Sequence, residues 1–77
     1  MQIEVLGPGC PKCRKTEQVL REAAREVGAE VELTHVTDVA AISERGVLLT
    51  PGVIIDGEIV SEGRVPTAGQ AREWLGK

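Results

Sequence analysis

At 77 residues the chain has the length of a single domain spanning 1–77. A domain this small buries only about 60% of the surface its unfolded form exposes, so its core is small. Trp74 is the sole aromatic residue, Phe and Tyr are absent, and the formal net charge is −3, a composition without the aromatic platforms and basic surface that bind nucleic acid.

Gln2 to Leu6 alternates, with Ile3 and Val5 toward one face, and predicts a first strand. Gly7-Pro8-Gly9 breaks it into a turn. From Pro11 the spacing becomes helical, with Thr16, Val19, Leu20, Ala23, Ala24 and Val27 in one apolar stripe and Gly28 as the stop. Glu17 and Arg21 form an exposed pair at favourable helical spacing. A second strand runs through Val31, Leu33 and His35. Asp38 then caps a short helix whose Val39 and Ile42, with Leu48 beyond, are expected to face inward, and Gly46 lies near its end. Val53-Ile54-Ile55 and Glu58-Ile59-Val60 flank Asp56-Gly57, the signature of a hairpin closed by a tight turn. Thr67 and Gln70 match a capping box opening a last helix through Ala71, Trp74 and Leu75. The order β-α-β-α-β-β-α predicts an α/β fold: a four-stranded mixed sheet flanked by helices, its first two strands parallel through a right-handed crossover.

Cys10-Pro11-Lys12-Cys13 follows the first strand and opens the first helix. A cysteine at that N-cap would meet free backbone N–H groups and the positive end of the helix dipole. Lys12, Arg14 and Lys15 add positive charge nearby. Both effects favour thiolate over thiol, and the thiolate is the form that attacks a disulfide. Cys13, one turn further on, faces back toward Cys10 and can expel a bound partner by closing the internal disulfide. So short a loop gains little from a bridge, which makes the purpose of the pair chemical. Gly9 removes side-chain bulk just before the nucleophile, so a substrate backbone can approach. No apolar run nears the ~20 residues of a membrane span, and Met1-Gln2-Ile3-Glu4-Val5 lacks the regions of a signal peptide. A cytoplasmic location is expected, with no membrane partner, and there a CxxC reads as catalytic or metal-binding.

With these residues on the page, the chain resembles the thioredoxin/glutaredoxin superfamily in its smallest form, similar to short archaeal and bacterial redox-active disulfide proteins. The likeness runs over nearly the whole length: Gly9-Cys10-Pro11-Lys12-Cys13 after the first strand, Thr50-Pro51-Gly52 before the hairpin, and a closing helix. It implies a minimal thioredoxin-like fold and a thiol–disulfide oxidoreductase, with Cys10 the nucleophile, Cys13 the resolving partner and no cofactor beyond the Cys10–Cys13 disulfide. It further implies that Pro51 follows a cis bond and faces the CxxC, and that Thr50 pairs its backbone with an extended substrate. Partners would be protein disulfides and a flavin- or NADPH-linked reductase. The family also carries a buried acid at the position of Glu4, beneath the resolving cysteine. Glu4 alternates away from Ile3 and Val5 on a strand expected to be interior, so it is a candidate to take the proton of Cys13.

Two departures shape this expectation. Pro11-Lys12 is neither the Gly-Pro usual between the cysteines of thioredoxins nor the Pro-Tyr of glutaredoxins. Gly63-Arg64-Val65 lacks the Gly-rich turn and following acid with which glutaredoxins hold glutathione, which favours protein dithiol exchange. The rival from another class is a metallochaperone-type domain whose CxxC binds a soft ion such as Cu(I). Such domains carry Met-Thr before the first cysteine and end on a strand, whereas this chain has Pro8-Gly9 and ends on a helix. A structural zinc site would need four ligands, and beyond the cysteines only His35 and carboxylates remain. His35 itself reads as a surface or edge residue, and Trp74 as core.

Overall fold

The computed structural model describes residues 1–9 and 11–76. Its elements are β1 (Gln2–Leu6), α1 (Pro11–Val27), β2 (Glu32–Val36), α2 (Val39–Glu44), β3 (Gly52–Ile55), β4 (Glu58–Glu62) and α3 (Ala68–Leu75). Each break between them has a local cause. Gly28 and Gly46, at φ of +70° and +80°, end α1 and follow α2 in a conformation that a side chain would resist. Asp56 and Gly57 both have positive φ, at 48° and 85°, the geometry a two-residue hairpin turn demands. Asp38 accepts from the Ala40 amide at the start of α2, and Thr67 and Gln70 close a reciprocal capping box at the start of α3.

The strands form one mixed sheet in the order β2-β1-β3-β4. β1 runs parallel to β2, with Ile3 opposite Leu33 and Val5 opposite His35, and antiparallel to β3, with Glu4 opposite Ile54. β3 and β4 pair antiparallel with a register shift at Val53/Ile54. As expected, β1 lies inside the sheet and is flanked on both edges.

Because strand side chains alternate, β1 serves two cores. Ile3 and Val5, with Val53, lie under α1 and α3, which contribute Leu20, Ala23, Ala24, Ala71 and Leu75. Trp74 is half-buried against this cluster. On the opposite face Leu6 and Ile54 meet Ile42 of α2 and Val47. The apolar stripe of α1 ends before Val27, which is 38% exposed.

The expectation that Val39 and Leu48 face inward is overturned. Val39 is 73% exposed and Leu48 87% exposed, and only Ile42 of α2 is buried. For Leu48 the physical reason is Val47, whose methyl groups fill the space that a side chain at Gly52 would need. With Val47 turned inward, Leu48 projects to solvent and Leu49, 61% exposed, lies over Gly63. Among the described residues no helix is long and apolar enough to cross a membrane.

Candidate active site

The end of β1, the start of α1 and the segment before β3 meet at one end of the sheet. Strand β1 stops at Leu6, and the Gly7 amide still donates to the Val36 carbonyl at 2.9 Å, so the chain leaves the sheet beside the end of β2. Gly7 is buried. A Cβ built there would overlap the Cys13 Sγ, and would lie 3.4 Å from the Cys13 Cβ and 3.6 Å from the Thr50 Cβ. The Cys13 sulfur therefore rests on the bare Cα of Gly7, with Thr50 alongside. Sequence reasoning missed Gly7, since before a proline it signals only a turn.

Helix α1 begins at Pro11 and has no acidic residue in its first turn. Its first backbone N–H groups and its dipole make that end electropositive, and exposed Lys12, Arg14 and Lys15 add to this. Pro11 suits this position because its missing N–H would have had no partner within the helix. Cys13 is wholly buried on the inner face of α1. Cys10, the candidate nucleophile, lies outside the described residues. Gly9, one position earlier, has φ of +88°, and a Cβ there would meet nothing within 4 Å among the described residues. Its conformation, more than crowding, asks for glycine.

The Thr50–Pro51 peptide bond is cis. Thr50 is exposed, Pro51 is buried, and the Pro51 carbonyl accepts from the Gly63 amide at 2.9 Å. Thr50, Gly7 and Cys13, distant in sequence, are thus brought together.

Glu4 is not a solitary acid. It lies on the face of β1 that also bears Leu6 and is half-buried, with a side chain 29% exposed. Arg45, at the C-cap of α2, meets its carboxylate: Nε donates to Oε1 at 3.2 Å and to Oε2 at 3.1 Å, and Nη2 donates to Oε2 at 3.0 Å. Hydrogen bonding to Glu4 raises the Arg45 pKa above its ordinary value, against the opposing effect of burial, and the charges of Glu4 and Glu44 add to the rise. Arg45 gave no sequence signal, because its partner lies forty-one positions away.

His35 stands on the edge strand, as expected, yet its side chain is only 23% exposed. Its Nδ1 lies 3.7 Å from the Glu17 carboxylate, which also accepts from Arg21, and its Nε2 is enclosed with no hydrogen-bond partner among the described residues.

A four-stranded mixed sheet, a helix that opens between two cysteines, and a Thr-Pro segment beside the second of them define a thioredoxin-like α/β domain. Comparison with known proteins agrees. The family model of the thioredoxin domain matches residues 1–76. A thioredoxin of Methanocaldococcus jannaschii is 42% identical over 73 residues, covering 95% of this chain and 84% of that protein. A thioredoxin of Methanothermobacter thermautotrophicus is 33% identical over 75 residues, covering 97% of each. The chain belongs to the thioredoxin family.

Proposed function

We propose that this chain reduces protein disulfides by dithiol exchange, with Cys10 attacking and Cys13 resolving. The Cys10 thiolate attacks one sulfur of the substrate disulfide, the substrate S–S bond breaks, and its other sulfur leaves as a thiolate that takes a proton from water. Cys13, once deprotonated, attacks the Cys10 sulfur of this mixed disulfide. The second substrate sulfur leaves, and two electrons have passed from the protein to the substrate, leaving the Cys10–Cys13 disulfide. A flavin- or NADPH-linked reductase in a reducing cytoplasm would return the dithiol.

The observation that carries this reading is the seat of Cys13: wholly buried, sulfur on Gly7, beside Thr50. A thiol so enclosed is poorly placed to meet an external disulfide, which suits the resolving role and not the attacking one. Cys10 precedes the first residue of α1, whose electropositive end favours the thiolate. The proposed substrate segment lies extended along Thr50, whose side chain is exposed. The metal-carrier reading is not favoured by the family match.

The test is insulin disulfide reduction by the pre-reduced protein, together with the potential of the Cys10–Cys13 couple. Turnover that disappears in Cys10→Ser supports the proposal. Protein that takes up Cu(I) stoichiometrically and does not reduce insulin refutes it.

A further inference from the structure

Helix α2 is short and weakly moored. It has six residues, buries only Ile42, and touches the rest of the fold sparsely. A helix of this length holds its place through tertiary contacts, not through its own propensity. Yet α2 leads into the segment that carries Thr50 and Pro51, separated from it only by Arg45, Gly46, Val47, Leu48 and Leu49.

The Arg45 guanidinium supplies the missing mooring. While Nε and Nη2 grip the Glu4 carboxylate, Nη1 donates to the Ala41 carbonyl at 3.1 Å, inside the last turn of α2. One planar group therefore fastens the end of α2 to the central strand. The fork geometry of arginine allows this, whereas an ammonium would act as a point charge. From Glu4 the chain runs two residues to Leu6 and then to Gly7, the seat of the Cys13 sulfur. From Arg45 it runs past Val47, locked against Gly52, to Leu48, Leu49, Thr50 and Pro51. The pair thus joins the two chain segments that frame the site, on the face of the sheet opposite α1.

Resting on the function proposed above, we infer that Glu4 and Arg45 are a pair of positioning residues that fix the Leu48–Pro51 segment relative to Cys13, and so set the affinity for extended protein disulfides. Glu4 acts through Arg45 and not as the proton acceptor of Cys13. A substrate that docks along the segment depends on the pair. A small disulfide that needs only the sulfur does not.

The experiment compares wild type with Glu4→Gln, Arg45→Gln and the double variant, and uses Arg45→Lys as the mildest change should the others lose the fold. Initial rates are measured against insulin concentration and, separately, with hydroxyethyl disulfide. The half-saturating insulin concentration should rise roughly three- to tenfold in each single variant, and the double variant should be no worse than either. The limiting rate should stay within about twofold, as should the rate with hydroxyethyl disulfide. Amide hydrogen exchange at Ile42 and Gly46, whose N–H groups donate to the Asp38 and Ser43 carbonyls, should quicken in the variants while that of α1 stays unchanged. Arg45→Lys should fall between wild type and Arg45→Gln. A limiting rate that drops with unchanged half-saturation, and a resolution step whose pH profile moves in Glu4→Gln alone, would make Glu4 the proton acceptor and overturn the inference. Variants indistinguishable from an active wild type on insulin would also overturn it. A wild type that fails to reduce insulin removes the proposed function, and this inference falls with it.

Discussion

Gly7→Ala adds one methyl group in the place the Cys13 sulfur occupies. The backbone does not forbid the change, since Gly7 is absent from the positions of positive φ, so any cost is one of space. The new Cβ would overlap Sγ, whereas its distances of 3.4 Å to the Cys13 Cβ and 3.6 Å to the Thr50 Cβ are ordinary contacts. Only the sulfur has to move, and Cys13 is wholly buried on a helix whose neighbours Thr16 and Leu20 are fully buried too. Overpacking of this kind costs about 1–3 kcal/mol. A domain of this size has a total stability of about 4–12 kcal/mol by the usual per-residue range, so the variant still folds while losing a sizeable part of it. Each kcal/mol is worth about 4–8 °C here, so a cost near 2 kcal/mol lowers the thermal midpoint by about 8–16 °C.

The cycle with Cys13→Ala isolates the contact. Removing Sγ vacates the space the alanine methyl needs, so Gly7→Ala made on Cys13→Ala should lose no more than about 0.5 kcal/mol. Thermal melts of reduced wild type, the two single variants and the double variant supply the four corners. In Gly7→Ala the displaced sulfur should also resolve a preformed Cys10 mixed disulfide more slowly, read by acid quench and mass analysis. Equal costs of Gly7→Ala in the two backgrounds would refute the reasoning, because the sulfur would then not be what the methyl meets.

Brief alkylation of the reduced protein near neutral pH should label Cys10 and spare Cys13, which is wholly buried, and mass mapping of the peptides reads the difference. Cys13→Ser should trap substrates as stable mixed disulfides through Cys10, whereas Cys10→Ser should trap few; equal trapping on non-reducing gels would break the two-step assignment. Thr67→Ala removes the side chain that accepts from the Gln70 amide at 3.1 Å and should cost about 1 kcal/mol, seen as a midpoint about 4–8 °C lower with insulin reduction intact.

Local chemistry made most of the fold legible. β1 over Gln2–Leu6, the helix from Pro11 stopped at Gly28, the Asp56-Gly57 turn and the Thr67/Gln70 box each rest on residues within a few positions of one another. The expectation that β1 is an interior strand also held. The reading of Val39 and Leu48 failed where a neighbour from elsewhere decides. A six-residue helix gives too few turns for a stripe to show, and Val47 takes the inward position because Gly52 leaves room for it. Periodicity carries no information about such a vacancy across the fold.

The site divides along the same line. Cys13 and the Thr50-Pro51 pair were legible as a motif with a spacing, and α1 opens at Pro11 as its composition requires. What supports them was not legible. Gly7 reads as a turn residue until the sulfur of Cys13 is seen on its Cα, and Glu4 reads as a lone acid until Arg45 is seen to reach it. Both supports follow from packing α1 on one face of β1 and α2 on the other, so that a single five-residue strand leads into the glycine beneath Cys13 at its end and meets Arg45 through its middle. In so small a domain one strand has to serve both faces, and on the proposed mechanism a change at Glu4 or Gly7 would act through Arg45 or Cys13.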